Sequence, residues 1–186
     1  MPTSQRRTLN PRCARNMQHG ESPLSIRPAT MDDLGSIVAI YNASIPARMA
    51  TADTQPVSVE SRTAWFKQHS PERHPLWVAE ADGSVAAWLG LTAFYGRAAY
   101  AHTAEVSLYV NPAQQRRGLA SALLGHAVAQ APRLGIETLL AFIFTHNSPS
   151  LVLFSRHAFA RWGALPRVAV LDGVRHDLLI LGRSVG

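Results

Sequence analysis

Cysteine is nearly missing from this chain: Cys13 is the only one in 186 residues. An intrachain disulfide is therefore excluded, and the composition fits a reducing compartment, the cytoplasm. Cys13 lies in a polar N-terminal leader, outside any expected core, and is given no catalytic role. Lysine is equally scarce, with Lys67 alone among 18 basic residues, so the positive charge is arginine charge. No apolar run is long enough to span a bilayer, and no secretory signal pattern opens the chain, so no membrane role is expected. Two phosphate-binding signatures are also missing. G-x-x-x-x-G-K-S/T and G-x-G-x-x-G do not occur, which removes support for the ATPase loop and the dinucleotide fold. The histidines stand singly, without paired spacing of the H-E-x-x-H kind, so no metal is predicted.

The formal net charge of +6 raises the question of nucleic acid. Its distribution argues against that reading. Arg6, Arg7, Arg12 and Arg15 face Glu21 alone within residues 1–24, which accounts for half of the excess. The rest is scattered, with no basic tract and no basic–aromatic interleaving, so no nucleic-acid partner is expected. Residues 1–24 lack periodicity and read as a disordered basic leader, with Met17 as an internal candidate start; residues 25–183 read as one domain.

What remains is an ordinary globular pattern, 47% hydrophobic and 16% charged. "IRPAT" (26–30) reads as a strand, after which Thr30 caps a helix with Asp32 and Asp33 in its first turn. Leu34, Ile37, Val38 and Tyr41 give that helix one apolar face. A second helix is predicted over 57–69, capped by Ser58. Two apolar runs within 76–94 are joined by Asp82-Gly83, a strong hairpin signal. A strand over 100–110 leads to a helix from Gly118 to about Leu134. "TLLAFIF" (138–144) reads as a strand buried on both faces. Asn147 caps the next helix with Pro149 in its first turn, and the tail forms a second Asp-Gly hairpin. The order β-α-α-β-β-β-α-β-α-β-β implies an α/β (α+β) mixed sheet with helices on it.

The junction "NPAQQRRGLASALL" (111–124) places Gln, Arg and Gly between an apolar strand and a helix. Such a turn aims the free amides and the positive dipole end of the helix in one direction, which suits phosphate, and a pyrophosphate is the ligand expected. Gly118 lets a ligand approach the backbone, and Arg116 and Arg117 add positive charge. Taken alone, the string also fits a surface helix start with no ligand.

The string Gln115-Arg116-Arg117-Gly118-Leu119-Ala120 resembles the Q/R-x-x-G-x-G/A motif that cradles coenzyme A. "AYAHTAEVSLYVNPAQQRRGLASALL" followed by "NSPSLVLFSRHAF" resembles the GNAT acetyltransferase superfamily, and within it the phosphinothricin/methionine-sulfoximine N-acetyltransferase group. The likeness runs from "IRPAT" to "LDGVRHDLLIL". It implies a GNAT acyl-CoA N-acyltransferase fold, with six to seven strands and four helices on both faces.

The resemblance also implies roles. The strand before the phosphate loop should carry a bulge and splay from its neighbour, with Leu108, Tyr109 and Val110 pairing with the pantetheine arm of acetyl-CoA. The amides from Arg116 to Ser121, through Gly118, Leu119 and Ala120, would take the pyrophosphate after Gln115. Asn147 would bond the pantetheine arm, a role compatible with capping. Glu105 matches the family's glutamate in "HT-x-E-x-S-x-Y-V" and would take the proton that an ammonium must lose before attack. Arg97, Ala98, Ala99 and Tyr100 match the loop that meets the amino-acid substrate, and His102 is either a second proton carrier or a packed strand residue. Two departures stand out. Phe154 replaces a His or Tyr that could protonate the leaving thiolate, and Arg116 replaces a common Gly, which implies ordinary backbone angles there.

The reading is an acetyl-CoA-dependent N-acetyltransferase acting on a small amino acid or analogue, and the family leaves room for a homodimer. The alternatives are another amine acceptor (a polyamine, an aminoglycoside or a protein N-terminus) or a catalytically weak CoA-binding sensor.

Overall fold

The structure is a computed structural model that describes residues 24–186; residues 1–23 of the leader, with Cys13 and Met17, lie outside the described residues. Seven strands make one sheet in the order β1-β2-β3-β4-β5-β7-β6. They are β1 (Ser25–Pro28), β2 (Leu76–Ala81), β3 (Ser84–Ala93), β4 (Thr103–Val110), β5 (Thr138–Phe144), β6 (Ala160–Leu171) and β7 (Val174–Ser184). The helices are α1 (Leu34–Ser44), α2 (Val59–Lys67), α3 (Leu119–Gln130) and α4 (Ser148–Arg156). The order of elements is the one that periodicity predicts. Boundaries move where short 3-10 turns take over: Met31–Asp33 precede α1, Ala98–Tyr100 precede β4, and Ala131–Leu134 follow α3. No helix among the described residues is long and apolar enough to cross a membrane.

Strand alternation sorts the core onto two faces. Leu76, Val78 and Trp88 meet Ile37 and Ile40 of α1, with Trp65 and Phe66 of α2 packed against them. Trp77, Ala79, Leu89, Leu91 and Val106 point the other way, into Leu119, Leu123, Leu124 and Ala127 of α3 and Phe154 of α4. Trp88 is pinned on its face because its indole N–H donates to the Ile37 carbonyl at 3.1 Å. The turn between β2 and β3 holds Asp82 at φ 53° and Gly83 at φ 75°, the paired left-handed residues that a two-residue hairpin demands.

β4 has two different neighbours. Against β3 it is antiparallel and continuous, from Ala104 opposite Ala93 to Val110 opposite Ala87. Against β5 it is parallel for three pairs only, Thr103 with Thr138, Ala104 with Leu139 and Glu105 with Leu140. β5 itself stays paired with β7 from Thr138 to Phe144. The strands therefore part after Glu105, each carried away by its outer neighbour. The bulge expected in β4 is a correction: its register with β3 has no break, so the splay comes from divergence and not from an inserted residue.

The start of α1 is fixed by a partly buried charge cluster, in which Asp33 is the buried member. Arg27 on β1 donates to both oxygens of Asp33, at 2.7 and 2.9 Å, and to Glu80 of β2 at 2.7 and 2.9 Å. Asp33 also accepts from the Thr30 amide at 2.7 Å and the Thr30 hydroxyl at 3.1 Å, which closes the turn. The Arg27 hydrogen bonds hold the Asp33 carboxyl down at about 2. A depressed carboxylate stabilises the fold fully above its ordinary range, and that share fades as pH falls through about 2. Asp33→Ala should therefore cost about 1–3 kcal/mol at neutral pH, a range kept modest because Arg27 is partly open to water. Urea denaturation from pH 7 downward should show the gap between native and variant narrowing in acid; a gap that is constant with pH would contradict the charge account.

Candidate active site

Between the diverging strands lies a cleft of about 430 Å³, with one wall from Glu105 to Tyr109 of β4 and the other from Ala141 to Phe144 of β5. Such a volume suits a small-molecule site. Past Glu105 and Leu140 the two strand edges do not pair with each other, so main-chain amides and carbonyls line the opening. An amide-bearing chain laid between them could restore the missing ladder.

Glu105 occupies the last paired position, at the vertex of the opening. Register sets its direction. Cross-strand partners share a face, so Glu105, Ser107 and Tyr109, opposite Thr92, Gly90 and Trp88, project toward α1 and α2. Ala104 and Val106 project toward α3. The Glu105 carboxyl is half-buried, and desolvation raises its pKa. A carboxyl raised in this way is a better proton acceptor than an ordinary surface carboxylate.

A short strap, residues 48–51, crosses the opening on the α1 side. Three successive carbonyls tie it to both banks: Arg48 accepts from His146 Nε2 at 2.8 Å, Met49 from Asn147 Nδ2 at 2.9 Å, and Ala50 from the Tyr109 hydroxyl at 3.2 Å. Burial pushes the Tyr109 phenol well up, which keeps it a donor. The Thr51 hydroxyl meets that of Tyr41 at 2.6 Å, and Arg48 grips Asp172 in the β6–β7 turn at 2.9 and 3.1 Å.

Asn147 has both ends engaged. Its Oδ1 accepts from the Ser150 amide at 3.2 Å, capping α4, while its amide nitrogen holds the strap. It lines the cleft together with Glu105, Leu108, Tyr109 and Phe154. Phe154 is at once cleft wall and core, with its ring edge-on to Phe159 at 4.9 Å.

At the start of α3 the first helical bond runs from the Ala122 amide to the Gly118 carbonyl, 3.0 Å, so the amides of Leu119, Ala120 and Ser121 lie ahead of the ladder. Gly118 is left-handed at φ 79°, and a Cβ there would meet nothing within 4 Å. Arg116 is a second correction: it sits at φ 65°, in the left-handed region, and not at ordinary angles. Arg117 binds Asp82 at 2.5 and 3.3 Å, which fastens this loop to the β2–β3 turn. Leu119 buries its side chain in the core and has only its amide to offer. The Ser121 hydroxyl is engaged with His157 Nε2 at 2.9 Å. Gln115 and Arg116 are exposed, and Val110 packs on the α3 side of the sheet.

Arg97, Ala98, Ala99 and Tyr100 lie on the exposed β3–β4 connection, outside the cleft lining. Tyr100 belongs to an aromatic cluster with Phe94 and Tyr95 at 5.4 and 6.1 Å. His102 is exposed, with Nδ1 2.7 Å from the Gly135 carbonyl, a tie across the turn before β5. The strap is the part that the sequence did not announce. Its ties to His146, Asn147 and Tyr109 run through main-chain carbonyls, which every residue carries, and its side-chain contacts reach partners that no local pattern pairs with it. Among the described residues no group of three or more His, Cys, Asp or Glu side chains could hold a metal ion.

Residues 37–159 match the acetyltransferase (GNAT) family. YwnH of Bacillus subtilis (strain 168), which bears the provisional name phosphinothricin acetyltransferase, is 52% identical over 163 residues, spanning 87% of this chain and 99% of its own. The L-amino acid N-acyltransferase MnaT of Escherichia coli (strain K12) is 30% identical over 158 residues, spanning 85% of this chain and 92% of its own. A solved GNAT superfamily phosphinothricin acetyltransferase from Sinorhizobium meliloti, in complex with AcCoA, has a TM-score of 0.83 at 27% identity and covers 88% of this chain and 89% of that one.

Because Asn147 caps α4 and holds the strap at once, Asn147→Ala should lower stability by about 1–3 kcal/mol. Chemical denaturation gives the value. Limited proteolysis should show faster cutting near residues 48–51, and unaltered cutting there would mean that the strap is held without Asn147.

Proposed function

The chain belongs to the GNAT acetyltransferase family, and from that premise we propose that it moves the acetyl group of acetyl-CoA to the amine of a small amino acid or analogue, of the phosphinothricin or methionine-sulfoximine type, with Glu105 as the base. One observation supports this above the others. A desolvated carboxyl stands at the vertex of a cleft whose two strand edges are left unpaired. The residues present fit acetyl-CoA on that count. The free edges beyond Glu105, including Leu108, Tyr109 and Val110, suit the amides of a pantetheine arm. The amides ahead of the α3 ladder, at a glycine with open space in front of it, suit a pyrophosphate.

When bound, acetyl-CoA supplies the acetyl group as a thioester. Glu105 removes a proton from the acceptor ammonium, directly or through water, and so exposes the lone pair of the nitrogen. Asn147 and the strap fix the far bank of the cleft. Phe154 has no proton to return to a departing thiolate, which leaves water as the source. A weak or inactive CoA-binding protein is the second reading, favoured by Phe154 alone; such a protein would bind acetyl-CoA without thiol release.

Acetyl-CoA should raise the melting temperature by mass action. In Gly118→Val the fold should persist, because the added Cβ meets open space, with a strain of about 1–2 kcal/mol from the left-handed backbone. The acetyl-CoA dissociation constant should nevertheless rise at least about tenfold as the side chain fills the approach to the amides. An unchanged constant by calorimetry would remove the phosphate assignment.

Glu105→Gln should cut turnover about a hundredfold while leaving acetyl-CoA affinity near that of the parent. In the parent, the rate should climb with pH and level off only above the ordinary carboxylate range, since desolvation raises this carboxyl. Full activity in the Gln variant across that range would show that another group takes the proton.

A further inference from the structure

His157 stands at the C-terminal end of α4, where the helix stops in a closed turn. The Phe159 amide donates to the Phe154 carbonyl at 3.1 Å, and the Ala158 amide to that of Ser155 at 3.0 Å. This is the Schellman arrangement, and its left-handed position, usually glycine, is Ala158 at φ 59°. Arg183 of β7 donates to the His157 carbonyl as well. Main-chain bonds on both sides thus fix where the imidazole projects, which is onto the first turns of α3. Its Nε2 lies 2.9 Å from the Ser121 hydroxyl, and its Cε1 is 3.4 Å from where a Cβ on Gly125 would stand. Ser121 and Gly125, one turn apart, share a face of the helix.

Ser121 is the third residue of α3, and helical side chains lean toward the N-terminus. Its hydroxyl therefore lies over the first turn, beside the amides that no ladder bond uses. A hydroxyl has one proton to give. Spent on His157, that proton cannot serve an anion. If the imidazole donates through Nε2 instead, the serine oxygen accepts and its proton faces outward. A protonated imidazole carries donors on both nitrogens and leaves only this second arrangement.

We propose that His157 is a positioning residue for the pyrophosphate of acetyl-CoA, donating from Nε2 to the Ser121 oxygen and so turning the Ser121 proton toward a phosphate oxygen. It lies 36 residues beyond Ser121, outside the motif that marks the loop. The role rests on the acetyl-CoA reading and adds a consequence that amides alone lack, proton uptake on binding. In the free protein, burial and then the charge of Arg183 lower the His157 pKa, so the ring is neutral at neutral pH. α3 faces it with uncharged Ser121 and Gly125, and Arg156 and Arg161, near it in the chain, are exposed. A bound anion at the first turn favours the charged ring and raises that pKa. The resulting gain in affinity is full below the free-protein value and is lost as pH rises through the value in the complex.

The test is calorimetric titration of the full chain with two fragments of the cofactor. Dephospho-coenzyme A keeps the pyrophosphate and lacks the phosphate monoester, which would titrate in the same pH window. Pantetheine lacks both. From about pH 8 down to about pH 6, in buffers of different ionisation heat, the parent should take up protons on binding dephospho-coenzyme A, with affinity rising about threefold to tenfold. Pantetheine binding should not change with pH. His157→Gln keeps an N–H donor at the end of its side chain and cannot titrate. Its affinity at the alkaline end should stay near that of the parent, while the rise and the proton uptake vanish. His157→Leu and Ser121→Ala should weaken dephospho-coenzyme A about threefold to tenfold and leave pantetheine unchanged. Melting curves without ligand establish folding; should the Leu variant prove unfolded, the Gln variant decides alone. No proton uptake by the parent, a pH dependence that survives in His157→Gln, or equal weakening of both ligands in His157→Leu overturns the proposal. Failure of the phosphate assignment itself reads differently, because Gly118→Val would then bind dephospho-coenzyme A as the parent does. Weakened binding in Gly118→Val with no response to His157 removes only the role of His157.

Discussion

The parting of β4 from β5 is the constraint on which the rest depends. A sheet normally spends its main-chain donors and acceptors on neighbouring strands, and leaving two inner edges unpaired is costly. This fold tolerates the gap because each strand keeps its other partner, β3 for β4 and β7 for β5. The opening is thereby held at a fixed position, immediately after Glu105. The carboxyl at the vertex is desolvated by burial. The proposed base and the proposed cofactor groove both trace to this one divergence.

The remaining polar groups act mainly as fasteners. Arg117, whose sequence position suggests a phosphate ligand, secures the α3 loop to the β2–β3 turn through Asp82. Arg48 reaches Asp172 across more than half of the chain and brings the strap to the β6–β7 turn. Asn147 joins the start of α4 to the strap. The left-handed angle at Arg116 is a strain that a glycine would not carry, and it is sustained between the bound Arg117 and the short turn Pro112–Gln114. Phe154 trades a proton donor for core packing against Phe159, so the cleft wall is also part of the hydrophobic interior.

Much of this was legible in the residues. The hairpins follow from Asp-Gly between apolar runs, and β5 follows from seven apolar or β-branched residues that the sheet buries from both sides. The Asn147 cap and the Gly118 helix start follow from local chemistry, which a few neighbouring residues decide. The β4 bulge and the ordinary angle at Arg116 failed for one reason. Both depend on how a strand or loop is held by partners distant in sequence, and nothing local reports that.

The sequence by itself determined the number, type and order of the elements, the two faces of the core, and the identity of the groups able to do chemistry. Those follow from periodicity and from side-chain type, which act over a few residues. Only the tertiary structure decided where β4 and β5 separate, that Arg117 is tied to Asp82, and that Met49, Ala50, Thr51 and Asn147 share one cleft with Glu105. Each of those is a matter of register and packing between segments far apart along the chain, fixed when the sheet assembles and not before.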